Sequence, residues 1–190
     1  LWFQRISYVG ELGWEIYIPT DKSKEIYELL VTLEKKFGLV HAGAHAMDIM
    51  RMEKGYLHWG HDISPAENPY EAGLGAFVDM DKDEFVGRDA LVGLDTRALL
   101  FGLTCEGATP TSNSEIIDGD SVVGQITAGV PSPTLGMGIG YVRFHYQDEW
   151  VGRKLILRLP SGECHSCAIV DLPFFDKERH IVRGLDRKIP

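Results

Sequence analysis

The sequence predicts an α+β fold that ends in a small antiparallel β-barrel. Three observations carry this. An alternating, glycine-bracketed segment opens the chain. Two stretches with helical spacing follow it. Beyond about residue 97, short apolar runs recur between clusters of Gly, Pro, Ser and Asp.

Residues 2–18 read as a β-hairpin. Trp14, Ile16 and Ile18 alternate with Glu15 and Tyr17, and Gly10 and Gly13 bracket the turn. Thr20 or Asp21 can then cap a helix. Its apolar positions are Ile26, Leu29, Leu30, Leu33 and Phe37, with Lys and Glu on the other face and Gly38 as its stop. A second helix is expected over about residues 42–56, followed by a loop rich in Pro, Asn and Asp over 60–69. Phe85-Val86-Gly87-Arg88-Asp89-Ala90-Leu91 reads as a turn that opens a small helix. The apolar runs at 99–104, 122–128, 137–144, 154–159 and 167–170 are the expected barrel strands. The change of texture near residue 96 divides the chain into residues 1–96 and 97–190.

Composition narrows the function. With 190 residues, 44% hydrophobic and 25% charged, the chain is long enough to bury a core and is not a disordered composition. A net charge of -9 argues against a nucleic-acid partner held by phosphate neutralisation. No apolar stretch is long enough for a membrane span. Three cysteines, Cys105, Cys164 and Cys167, make no secreted disulfide framework. They point to the cytoplasm or the mitochondrial matrix. Starting at Leu1 without an initiator Met or signal peptide, the chain reads as a piece of a longer protein.

Several patterns carry possible chemistry, each beside a plainer reading. If Glu11-Leu12 makes a two-residue turn, Tyr8 faces Glu15, and a ring and a carboxylate share one face for a flat heterocycle. A three-residue loop breaks that register and leaves a solvated Glu beside a half-buried Tyr. Cys164-His165-Ser166-Cys167 has zinc-ligand spacing but lacks two further ligands, so chance β-strand thiols are the plainer account. His41 and His45 lie four apart without the Glu of a zincin, which suits a capping or surface role. Leu135-Gly136-Met137-Gly138-Ile139-Gly140 is not at a strand-to-helix junction, so close backbone packing explains its glycines better than a dinucleotide does. Arg51 on the second helix can pair with a carboxylate or reach an anionic ligand.

The order of motifs says more than any one of them. Ser7-Tyr8-Val9-Gly10-Glu11-Leu12-Gly13-Trp14-Glu15 resembles the Tyr-Thr-Gly-Glu-x-Gly-x-Glu signature of the aminomethyltransferase family, the glycine cleavage T-proteins. Ala46-Met47-Asp48-Ile49-Met50-Arg51-Met52-Glu53-Lys54-Gly55 is similar to that family's Ala-Arg-Asp-x-Leu-Arg-Leu-Glu-x-Gly helix. Trp59-Gly60-His61-Asp62-Ile63, Pro69-Tyr70-Glu71-Ala72-Gly73-Leu74, the 85–91 turn and Ile126-Thr127-Ala128-Gly129-Val130-Pro131 follow in family order. Val9, the Arg-Met-Glu-Lys-Gly run and Trp59 look more like the C-terminal folate domains of dimethylglycine and sarcosine dehydrogenases.

The resemblance implies the C-terminal part of the aminomethyltransferase folate-binding fold followed by its β-barrel. It implies one-carbon transfer from a methylated or aminomethyl-bearing amine to tetrahydrofolate, with FAD only in a flavin domain upstream of Leu1. The family's pterin contacts match Tyr8 and Glu15. Met47 stands at a family Arg, a folate-contacting aromatic falls near Ala76, beside Phe77, and a C-terminal Tyr falls near Arg179. The expected cofactor contacts are thus Tyr8, Glu15 and Arg179. No motif matches the family's catalytic Asp, so no catalytic residue and no metal ligand are assigned. A non-catalytic binding or assembly module on the same scaffold, or a demethylase of a sulfonium donor, are the alternatives.

Overall fold

The structure, a computed structural model, describes residues 1–186; the last four residues of the expected 97–190 unit lie outside the described residues. Two short strands, β1 (Trp2–Gln4) and β2 (Glu15–Tyr17), form an antiparallel pair. Helices α1 (Ser23–Thr32), α2 (Glu34–Phe37) and α3 (Ala44–Glu53) follow, then the short α4 (Arg88–Leu91). The remaining strands are β3 (Leu100–Cys105), β4 (Glu115–Asp118), β5 (Ser121–Ser132), β6 (Met137–Phe144), β7 (Lys154–Arg158) and β8 (Cys164–Val170). They close a barrel in the order β3-β6-β5-β4-β7-β8, and β8 pairs back onto β3. The architecture is the predicted α+β class with a small antiparallel barrel.

Period-two alternation explains the barrel's interior. Leu103, Cys105, Ile116, Ile126, Val142, Phe144, Leu155, Leu157, Cys167 and Ile169 point inward and pack together. Trp150, from the β6–β7 connection, lies flat on Phe144 with ring centroids 3.9 Å apart. Of the repeated glycines, Gly138 and Gly140 have the packing role expected from the sequence, whereas Gly136 turns the chain between β5 and β6 at φ +67 with open space beside it. A Cβ on Gly129 would lie 2.1 Å from the Pro110 carbonyl oxygen, and one on Gly138 would lie 2.1 Å from that of Ala108. The 108–110 segment therefore rests directly on the backbones of β5 and β6.

β6 is buried on both faces. Its other face, Ile139 and Tyr141, joins Ala128 and Val130 of β5 against Met52 of α3. A β-bulge between Ile126 and Ala128 shifts β5, so inward Ile126 is followed by outward Ala128 and Val130. Met52 is wholly buried there, which contributes about 1.5–3 kcal/mol of apolar burial.

Three expectations change. The apolar runs missed β4, whose Glu115 and Asp118 disguise a strand with only Ile116 buried. The first helix breaks at Leu33 into α1 and α2, and no residue of either is buried. Leu29, Phe37, Trp2, Phe3 and Trp14 are all exposed. The opening hairpin also has another register. Trp2 faces Tyr17, Phe3 faces Ile16 and Gln4 faces Glu15, so Tyr8 does not face Glu15. Gly10 explains this. It adopts φ +70, and its missing Cβ would collide with the Lys54 side chain at 2.5 Å. The chain between the strands is an extended loop folded onto α3, not a two-residue turn.

Candidate functional site

The end of α3 is a polar junction. Arg51 and Asp62 are 3% and 0% exposed and pair at 2.8 Å. Arg51 also donates to Asp48 at 2.6 Å and to the Tyr56 carbonyl at 3.0 Å. Asp62 further accepts the His58 backbone N–H at 2.8 Å and the Thr127 hydroxyl at 3.3 Å. Burial disfavours the Arg51 charge, but its acidic neighbours outweigh that and hold its pKa above the ordinary value. Of the two roles open to Arg51 in the sequence, the ion pair is the one found. Glu53 turns the other way and accepts from Ser132 Oγ at 2.5 Å, Thr134 Oγ1 at 2.8 Å and the Thr134 backbone N–H at 3.2 Å. It fastens α3 to the end of β5.

Tyr8 sits against this junction. Its ring lies edge-on to Tyr56 and to His58, each with centroids 6.4 Å apart. Its hydroxyl is buried without a hydrogen-bond partner. Burial pushes the Tyr8 pKa up, and the Arg51 charge partly offsets this. A buried polar atom left unpaired costs about 1–3 kcal/mol, so it is a natural place for a ligand atom. Glu15 is placed differently. It lies exposed on β2, where its carboxylate accepts from the Tyr17 hydroxyl at 2.7 Å.

Lys54 connects the Tyr8 segment to a cleft. Its ammonium donates to the Gly10 carbonyl at 3.3 Å and pairs with Glu11 at 3.1 Å and Asp176 at 3.6 Å. The same residue lines a cleft of about 500 Å³ with Leu57, Leu74, Ala76, Phe77, Leu100, Leu172 and Arg179. Phe77 is 78% exposed at the end of the Gly75–Phe77 turn. The cleft thus unites Ala76, Phe77 and Arg179, positions widely separated in sequence.

The turn carrying Arg179 is built with care. Asp176 and Arg179 have φ of 53° and 54°, a conformation that L-residues seldom adopt. The Asp176 carboxylate accepts the His180 and Ile181 N–H groups at 2.8 and 3.1 Å, and its carbonyl accepts the Arg179 N–H at 2.8 Å. The Arg179 side chain is exposed and has no charged partner among the described residues. It is available to an anion, although Asp171 also lines the cleft.

The remaining candidates disperse. Cys164 is exposed while Cys167 is buried, as alternation along β8 demands, so they cannot converge on one metal ion. Among the described residues no group of His, Cys, Asp and Glu has a metal-binding arrangement. His41 and His45 are exposed. Met47, where the family helix has Arg, is 45% exposed. Asp62, Lys54 and Asp176 escaped the sequence reading because their partners are distant in sequence. The acidic neighbour of His61 in Trp-Gly-His-Asp was the available signal for Asp62.

Comparison with known proteins adds the following. A family model described as the GCVT N-terminal domain matches residues 1–82. One described as the glycine cleavage T-protein C-terminal barrel domain matches residues 99–176. The aminomethyltransferase of Halothermothrix orenii is 41% identical over 90% of this chain and 48% of its own length. The 4-methylaminobutanoate oxidase (formaldehyde-forming) of Paenarthrobacter nicotinovorans is 32% identical over 95% of this chain and 22% of its own. The mitochondrial dimethylglycine dehydrogenase of Homo sapiens is 31% identical over 89% and 20%. The chain therefore spans about half the length of the aminomethyltransferases it matches and about a fifth of the dehydrogenase. The crystal structure of the glycine cleavage system aminomethyltransferase T from Bartonella henselae superposes with a TM-score of 0.78 and 24% identity, over 92% of this chain and 50% of that one. That likeness shows the fold.

Proposed function

The chain belongs to the glycine cleavage T-protein (aminomethyltransferase) family, and from that premise we propose that it supplies one part of a tetrahydrofolate site for one-carbon transfer. The observation that carries this reading is the buried, unpartnered Tyr8 hydroxyl beside the Arg51–Asp62 pair. The apolar cleft with Arg179 at its rim supports it, since a reduced folate joins a flat hydrogen-bonding ring to a carboxylate-bearing tail.

In this reading Tyr8 accepts or donates a hydrogen bond at the pterin. The Arg51–Asp62 pair fixes the floor on which Tyr8, Tyr56 and His58 stand. Arg179 meets the anionic end of the folate. Glu15 receives the pterin N–H donors only if the ligand reaches across from the Tyr8 pocket to β2, because the hairpin register does not set the two side chains face to face. Tetrahydrofolate, when bound, supplies the nitrogen that captures the one-carbon unit. The chain's own share is positioning and recognition, since no general base is assigned to it. The amine donor and any flavin domain belong to parts of a longer protein. The uncovered apolar residues Trp2, Phe3, Leu29 and Phe37 favour that arrangement.

The test is equilibrium titration of the longer protein with tetrahydrofolate. Tyr8→Phe, Glu15→Ala and Arg179→Ala are each expected to weaken binding by about tenfold, the size of one lost hydrogen bond or ion pair at a ligand. Wild-type affinity in all three variants would remove the reading.

A further inference from the structure

Cys105 lies just past one predicted apolar run and Cys167 opens another, and the fold sets them opposite each other. They are direct partners in the antiparallel ladder of β3 and β8. Both point into the barrel core, 1% and 3% exposed. The kind of pairing follows from the neighbouring hydrogen bonds. The Ile169 N–H donates to the Arg153 carbonyl at 3.0 Å, and its carbonyl accepts the Gly152 N–H at 2.9 Å. Both polar groups of Ile169 therefore turn toward the β7 side. Alternation turns those of Cys167, two residues earlier, the same way and away from β3. Cys105 and Cys167 thus form a non-hydrogen-bonded pair, the kind in which facing side chains come closest, with Cα atoms about 4.5 Å apart. A disulfide spans Cα separations of about 4.4–6.8 Å.

We propose that Cys105 and Cys167 are a disulfide-forming pair that can stitch the seam where the last barrel strand meets the first. Two S–H bonds break and one S–S bond forms. The two electrons and two protons pass to a low-molecular-weight disulfide, whose own S–S bond is cleaved to two thiols. Burial pushes both thiols up, Cys167 to about 12, so the closed barrel holds little thiolate. The bond forms as the barrel closes rather than after it. Once formed, it is shielded from reductants by the same burial. Cys164, exposed on the outer face of β8, takes no part.

The chain is unfolded and refolded with and without oxidised glutathione, in the wild type and in Cys164→Ser, which removes only an exposed thiol. Refolding with oxidant is expected to leave no titratable thiol in Cys164→Ser, at a mass two hydrogens below the reduced chain and with no glutathione attached, and in the wild type to place any glutathione adduct on Cys164 alone. A Cys105–Cys167 cross-linked peptide and a thermal midpoint higher by about 5–10 °C should accompany this. Oxidant added to the folded chain should leave Cys105 and Cys167 reduced. Retention of both core thiols after oxidative refolding, their capture only as glutathione adducts, a bond to Cys164, or a cross-linked chain that melts lower would each overturn the proposal.

Discussion

Replacing Asp62 with Ala tests the account of the polar junction most directly. The change removes the carboxylate that accepts from Arg51 at 2.8 Å, from the His58 backbone at 2.8 Å and from Thr127 at 3.3 Å. It leaves the Arg51 charge, 3% exposed, with Asp48 and the Tyr56 carbonyl as its remaining partners. Breaking one side of a buried pair costs about 3–5 kcal/mol. Asp48 keeps part of the compensation but is 43% exposed, so the expected loss is near the lower end, about 3 kcal/mol. That is roughly a hundredfold in the folding constant. Urea unfolding followed by tryptophan fluorescence reads it, because Trp150 lies in the barrel core. Arg51→Met with Asp62→Leu should recover most of the loss, since an apolar pair of similar volume removes the stranded charge. A loss below about 1 kcal/mol for Asp62→Ala, or a double variant no more stable than the single one, would refute the reasoning.

Other outcomes follow from the same geometry. Gly129→Ala places a methyl 2.1 Å from the Pro110 carbonyl oxygen and should cost about 3 kcal/mol or block barrel closure, visible as lost near-ultraviolet dichroism. Tyr8→Phe should leave the unfolding free energy from urea titration within about 0.5 kcal/mol of the wild type or raise it, because the hydroxyl it deletes has no partner; a loss above about 1.5 kcal/mol would show that the hydroxyl is paired after all. Burial raises the Asp176 carboxyl, but the His180 and Ile181 N–H groups and Lys54 together depress it below its ordinary value. Its contribution to stability is therefore complete above about pH 4 and is lost as pH falls through the depressed value. Acid titration followed by NMR should show the turn at 176–181 loosening in that window, and Asp176→Asn should abolish the pH dependence of its signals.

Much of the barrel could be read from its sequence because each strand's burial is written in its own alternation. Residues 137–144 are the clearest case, and their limits agree with the observed strand. β4 was not legible, because Glu115 and Asp118 interrupt its apolar pattern while pairing with β5 and β7 supplies its stability. The hairpin register was not legible for a related reason. A two-residue turn at Glu11-Leu12 satisfies local chemistry, but Gly10 is committed to Lys54, forty-four positions away. The helix motif pointed to Arg51 and left its partner open, and only the fold brings Asp62 to it and Thr127 to Asp62. Alternation alone separates Cys164 from Cys167, whereas the meeting of Cys167 with Cys105 required the closure of β8 onto β3.

The grip of α3 on β5 and β6 limits how this protein can be rearranged by gene fusion. A barrel transplanted from residue 99 onward would leave behind Met52 and Glu53. The Ile139–Tyr141 and Ala128–Val130 surface would then face water, and Ser132 and Thr134 would lose their acceptor. A graft that begins before Ala44 would carry its own cover. The portable segment is therefore longer than the closed sheet, and recombination that respects this helix should give transplants that resist clumping.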